Sequence, residues 1–446
     1  MKIKIHKGNS IIAGCAVEII SDKSRILIDT STPLTTSSTT NIDKTILFSN
    51  SAKKLFKQGI LYPIDGLYDF QKPQFDAVLI SHSHKYHFGF YRHIHPKIPV
   101  FLNENASKLI NIYNKFDKES KIEIHNLRTI VNWVNMEINE LIIKPYLIDN
   151  SGYNSLAYYI KHRDTKKSLF YSGNFYPETW DNKLFNNFLN NHPSVAECLL
   201  LENDIIDREN GDYPDEQTVC EKIKKIINAS DNKYIFVFCP LQNVNRLISL
   251  YKAVKSTYST FIIDIYTACI LDALHNQYND IPQYSSQNVR VFFADSYHKN
   301  NTDKYAAVIE KAGMAYLLQE FVRRKISLEQ LKTPDNKVVV LIQKSMLPMI
   351  EKLPGIAGST LIFSSKEGYI DSRDNKSKYF WDFMLKNKIS VEPVHTDSSA
   401  AIAKLKKVIA AINPDVIIPV HCTDQAKFSS SFQKVKFLNT GEEHTV

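Results

Sequence analysis

Short runs rich in Val, Ile, Phe and Tyr recur through the first two hundred residues, at 16–20, 25–29, 75–81, 156–160, 168–172 and 198–202. Their length and β-branched content predict strands, mixed with helical stretches such as 106–116. Several of these strands end in small or polar residues, as strands do when their loops build a site. From about residue 204 the rhythm becomes a regular alternation: helix 216–227, strand 234–239, helix 244–256, strand 260–265, and further strands at 291–293, 338–342 and 360–363. Such alternation specifies a parallel sheet with helices on both faces, long enough to be a domain of its own. The last seventy residues add a strand near Val391, a helix over 400–412 and an apolar strand over 416–420.

The chain has 446 residues, 43% hydrophobic and 23% charged, which excludes wholesale disorder and leaves room for roughly three domains or two large ones. Its formal charge of +8 is compatible with an anionic partner and does not establish one. The six cysteines form no C-x-x-C pair, the segment MKIKIHKGNS lacks the apolar run of a signal peptide, and no apolar stretch approaches the length of a membrane span. The expectation is a cytoplasmic protein without a membrane partner.

The chemistry concentrates after the strand at 76–80, which runs into Ser81-His82-Ser83-His84-Lys85-Tyr86-His87-Phe88-Gly89. Strand alternation puts His82 and His84 on one face, and a turn can return His87 toward them, so three imidazoles can converge on a metal. Three ordinary surface histidines are the alternative. Far downstream the strand 416–420 leads into His421 and Cys422.

These residues carry a resemblance. Residues 75–89 resemble the metal-binding motif of the metallo-β-lactamase superfamily, a strand followed by His-x-His-x-Asp-His. Residues 14–29 resemble that fold's first hairpin, ending at Asp29. Tyr171-Ser172-Gly173-Asn174-Phe175 is similar to its Tyr-Ser-Gly-Asp-Phe, Leu201-Glu202-Asn203 to the strand end before an inserted domain, and Pro419-Val420-His421 to its last histidine motif. The insertion, with Asn243-Val244-Asn245-Arg246-Leu247 and Ile263-Asp264-Ile265-Tyr266-Thr267-Ala268, resembles the β-CASP domain of ribonuclease J-like nucleases. The resemblance implies an α/β protein: a metallo-β-lactamase αββα sandwich (residues 1–204), an inserted β-CASP-like parallel α/β domain (205–375), and a C-terminal return completing the sandwich (376–446).

In the resembled family two zinc ions share an aspartate and a hydroxide that attacks a phosphodiester. Residue by residue, this chain departs from that set. His82, His84, His87 and His421 remain, but a third histidine ligand falls at Asn150, the motif aspartate at Tyr86, the bridging aspartate at Asn174, and a substrate-phosphate histidine at Ser399. Two Zn²⁺ about 4 Å apart repel by about 15 kcal/mol at an effective dielectric of 20, and anionic ligands normally offset this. With both anions replaced, the expectation is no metal or one divalent ion, zinc foremost, on the four histidines, and not a two-zinc centre. Asp29, Asp149 and Glu202 stand behind the ligand positions, although alternation points Asp149 to the opposite face. Ser364, Ser365, Ser398 and Ser399 resemble substrate-groove segments.

The functional expectation is a non-catalytic or weakly catalytic protein that binds RNA or single-stranded DNA, or regulates. The alternatives are a single-metal RNA or DNA hydrolase and a scaffold with a protein partner. A homo-oligomer is compatible with each.

Overall fold

The computed structural model describes residues 1–7, 16–30, 44–83, 90–116, 121, 123–150, 154–175, 180, 183–193, 195–202, 214–275, 281–293, 308–310, 313–365, 375–396, 402–420, 422 and 424–446. The chain divides into two compact units, residues 1–177, 181–212 and 399–446 in the first and 178–180 and 213–398 in the second.

The first unit holds two sheets. Strands β1 (Lys2–Lys7), β2 (Ala16–Ile20), β3 (Arg25–Ile28), β4 (Ala77–Leu79), β5 (Val100–Asn103) and β6 (Leu127–Ile130) form one sheet in chain order. The second takes β7 (Met136–Ile138), β8 (Leu141–Ile148), β9 (Ser155–His162), β10 (Ser168–Asn174) and β11 (Cys198–Glu202). Alternation decides which face of each sheet is buried against the other. Ile3, Ile5, Val17, Ile19, Ile26, Ile28 and Leu79 of the first sheet form one core with Leu141, Ile143, Leu156, Tyr158, Leu169 and Leu200 of the second. The outer face of the first sheet packs Leu27 and Val78 against Leu55 and Ile110 of the helices Ala52–Lys57 and Glu104–Phe116. The outer face of the second packs Tyr146, Phe170 and Leu199 against Phe188 and Val408 of the helices Lys183–Asn191 and Ile402–Ile412. The layers therefore run αββα.

The second unit is one sheet built from β12 (Tyr234–Phe238), β13 (Thr260–Asp264), β14 (Val289–Phe292), β15 (Lys325–Ile326), β16 (Val338–Leu341), β17 (Thr360–Phe363) and β18 (Ser390–Pro393). Every pairing is parallel, in the order β15-β14-β13-β16-β12-β17-β18. Tyr234, Phe236 and Phe238 face a core with Leu347, Ile350, Phe380 and Phe383. The intervening Ile235 and Val237 are also 0% exposed, so β12 is buried on both faces, as a central parallel strand requires. Asn243 and Asp264 cap the helices Val244–Ser256 and Ile265–Ala273, accepting from the amides of Arg246 and Thr267.

Residues 376–398, expected in the C-terminal return, lie instead in the second unit, because β18 pairs with β17. Ser390 and Val394 donate their amides inward to Ser359 and Phe363, so Val391 and Pro393 occupy the alternate, outward-facing positions. The chain then returns to the first unit through β19 (Val416–Val420) beside β11 and β20 (Glu443–Thr445) beside β1. Among the described residues no helix is long and apolar enough to cross a membrane.

Candidate functional site

In the first unit the strands β3, β4, β10, β11 and β19 bring their carboxyl ends to one edge. Asp29 follows β3 with φ 57°, the left-handed region that aspartate tolerates better than most residues. Its amide donates to Leu79 O at 2.9 Å, which ties it to the end of β4. The Asp29 carboxylate is buried and accepts from the Ser81 amide at 2.8 Å, the Ser81 hydroxyl at 2.5 Å and the Tyr171 hydroxyl at 3.1 Å. The Tyr171 hydroxyl also lies 2.8 Å from Glu202 Oε2, placing one phenolic oxygen between two buried carboxyl groups.

Ser81 and Tyr171 are the site residues that the candidate set above omits. Tyr171 sits inside the Tyr-Ser-Gly-Asn-Phe motif and was the available signal; Ser81 had none beyond its place at a strand end.

The Ser81 contact fixes a tautomer. Its single hydroxyl proton goes to the Asp29 carboxylate, so its oxygen accepts from His82 Nδ1 at 2.8 Å. His82 then carries its ring proton on Nδ1 and its lone pair on Nε2. A carboxylate-linked orientation of this kind accompanies a metal-binding imidazole, and one metal ion on Nε2 fits it.

The opposite strands supply amides. Asn150 Nδ2 donates to the backbone carbonyl of Asn174, and both residues are buried. Asn174 Oδ1 has no hydrogen-bond partner among the described residues. It is a neutral oxygen at the position where the resembled family bridges two cations. Asn174 pairs in register with Glu202, whose amide donates to Ser172 Oγ at 2.9 Å, and Glu202 pairs with Val420. Gly173, between Ser172 and Asn174, has φ +57°, and a Cβ there would stand 2.8 Å from Leu156 O. The two sheets are stitched at this edge by the Leu156 amide to Ser81 O at 2.7 Å and the Tyr158 hydroxyl to Ile80 O at 2.6 Å. Burial, with the Asp29 carboxylate nearby, pushes the Tyr158 phenol well above its ordinary range, so it remains a donor.

Asp149 turns to the other face, where its Oδ2 accepts from the Phe185 amide at 3.0 Å. Ser364 and Ser365 follow β17 in the second unit. His84, Tyr86, His87, Ser398, Ser399 and His421 lie outside the described residues, among which no three His, Cys, Asp or Glu side chains could hold a metal ion. Among the described residues, Asn150 and Asn174 present neutral amides, and Asp29 and Glu202 are engaged in the hydrogen bonds above.

No family model matches the sequence, and no curated protein matches it. Among solved structures, a protein of unknown function from Enterococcus faecalis V583 is similar over 100% of this chain and 99% of its own, at 17% identity and a TM-score of 0.76. The metallo-beta-lactamase fold protein YhfI from Bacillus subtilis is similar over 47% of this chain and 74% of its own, at 13% identity and a TM-score of 0.29. A diphosphatase from the PhnP family covers 45% of this chain and 73% of its own, at 12% identity and a TM-score of 0.27. The first likeness shows a shared fold across both units; at their TM-scores the other two carry no weight.

Proposed function

We propose that this chain is a metallo-β-lactamase-superfamily protein of the β-CASP, ribonuclease J-like branch that has lost the two-zinc hydrolytic centre and acts by binding RNA or single-stranded DNA, as a non-catalytic or weakly catalytic regulatory protein. The αββα layering and the following parallel α/β unit support the fold part of this reading. One observation carries the loss of that centre: Asn150 and Asn174, at two ligand positions, are neutral amides, one donating to the backbone carbonyl of the other. Both side chains are neutral, an amide oxygen is a weaker zinc ligand than an imidazole or a carboxylate, and Asn174 offers no charge to hold two dications together.

The test has two arms. Elemental analysis of protein purified without chelator should find well below two zinc ions per chain. Binding to a single-stranded oligouridylate should weaken steeply as salt rises, in proportion to the phosphates contacted. Two tightly held zinc ions would overturn the first claim, and failure to bind at low salt the second.

The His82 tautomer favours a second reading, in which one divalent ion is held by His82 with His84, His87 and His421. Such an ion would supply Lewis-acid activation of water for phosphodiester cleavage. In that case cleavage is metal-dependent and disappears in His84→Ala. No cleavage with Zn²⁺, Mn²⁺ or Mg²⁺ eliminates this reading.

A further inference from the structure

The second unit contains a buried arrangement that the reading above does not use. Arg246, in the helix Val244–Ser256, and Glu216, at the start of the helix Glu216–Ala229, are both 0% exposed. Arg246 Nε donates to Glu216 Oε2 at 3.1 Å and Nη2 to Oε1 at 3.0 Å, a two-pronged fork. The other Nη2 hydrogen is directed to Thr396 Oγ1 at 2.9 Å. Nη1 faces the Ser364 hydroxyl, the carbonyls of Ser364 and Val394 at 3.4 Å each, and His395 Nδ1 at 3.3 Å. Ser364 in turn donates to Val394 O at 2.6 Å. The guanidinium thus joins two segments that leave the sheet side by side, 364–365 after β17 and 394–396 after β18.

Burying such a pair carries a desolvation cost for each ion, and well-packed apolar replacements often match its stability. Stability alone is a weak reason for this design; geometry is a stronger one. We infer that Arg246 is a positioning residue, which fixes the strand ends 364–365 and 394–396 and holds His395 in the tautomer protonated on Nε2.

The tautomer follows from the donor inventory. A guanidinium has donors only and stays charged, so the ring nitrogen that faces it must present its lone pair. His395 Nδ1 is that nitrogen, and the ring proton sits on Nε2. On the adjacent strand end, Ser365 Oγ belongs to a residue only 4% exposed and has no hydrogen-bond partner among the described residues. A buried hydroxyl at the carboxyl edge of a parallel sheet suits an acceptor-rich ligand. This inference rests on the nucleic-acid reading, since phosphodiester oxygens are such acceptors.

The experiment uses the full chain labelled with ¹⁵N-histidine. Long-range ¹H–¹⁵N correlations report the tautomer, with His395 assigned by its disappearance in His395→Gln. The wild type should show the proton on Nε2. In Arg246→Met combined with Glu216→Gln, which removes the guanidinium without stranding a carboxylate, the tautomer should become mixed and oligouridylate affinity should fall about tenfold. A wild-type ring protonated on Nδ1 overturns the inference whether or not the variant folds. An unchanged tautomer in a folded double variant overturns it as well. A wild type that has the expected tautomer but does not bind oligouridylate at low salt overturns the nucleic-acid reading and leaves the positioning role standing.

Discussion

Two buried carboxyl arrangements, one in each unit, are stabilised in opposite ways. In the first unit Asp29 takes hydrogen bonds from neutral donors: the Ser81 amide and hydroxyl and the Tyr171 phenol. In the second unit Glu216 takes a bidentate cation, Arg246, and the Ser249 hydroxyl. The second arrangement balances its own charge. The first orients an imidazole through Ser81, so its geometry points toward a ligand position. What differs is the source of stabilisation: one network reaches its neighbouring imidazole through neutral donors, and the other through a cation.

The largest effect that sharpens this contrast is expected in the second unit. Glu216→Ala strands the guanidinium in a dry interior and should cost about 3–5 kcal/mol in urea unfolding, whereas a paired apolar replacement of Arg246 and Glu216 should recover most of that. If the single and paired changes cost the same, charge compensation is not what holds this network.

In the first unit Tyr171→Phe deletes a neutral donor between two carboxyl groups, and the expected loss is smaller, about 1–3 kcal/mol by the same measurement. Gly173→Ala should cost a similar amount, since it adds an unfavourable left-handed conformation to a Cβ that would stand 2.8 Å from Leu156 O. A loss above that of Glu216→Ala in either variant would reverse the ranking of the two networks.

The smallest effect lies at Glu140, where burial alone would raise the carboxyl pKa. Hydrogen bonds from the Ser21 hydroxyl, the Lys23 amide and the Ser24 hydroxyl outweigh it and bring the value down to about 2. Because the folded value is the lower one, the stabilisation is complete above the ordinary carboxylate range near 4.5 and is lost as pH falls toward 2. Glu140→Gln should therefore melt lower than the wild type at pH 7, by about 1 kcal/mol of stability, with the gap closing between pH 4.5 and 2. A gap that widens on acidification would refute the assignment.

Much of the architecture is legible in hydrophobic periodicity. The runs at 198–202, 234–239 and 416–420 are short and apolar, and each forms a strand, the first two inside their sheets and the third at a sheet edge. β1 is less visible, because Lys-Ile-Lys-Ile-His-Lys carries only two apolar residues and its partner β20 is about 440 residues away in sequence. The boundary at 376 was misread for a related reason: helix Asn375–Lys386 and β18 look like any terminal helix and strand until β18 is seen to pair with β17. At the site, Asp29, His82, Asn150, Asn174 and Glu202 were named from motif order alone. The Ser81 relay and the Arg246 fork were not, because hydrogen bonds between residues 52 and 150 positions apart leave no periodic trace.

The outward position of Pro393 has a consequence for the protein's behaviour in a crowded solution. A bare sheet margin is a template on which a foreign strand can zip, and each free amide there is an invitation to aggregate. Replacing one of those amides with a pyrrolidine ring leaves the margin without a continuous row of donors, so the sheet stays finite at that side.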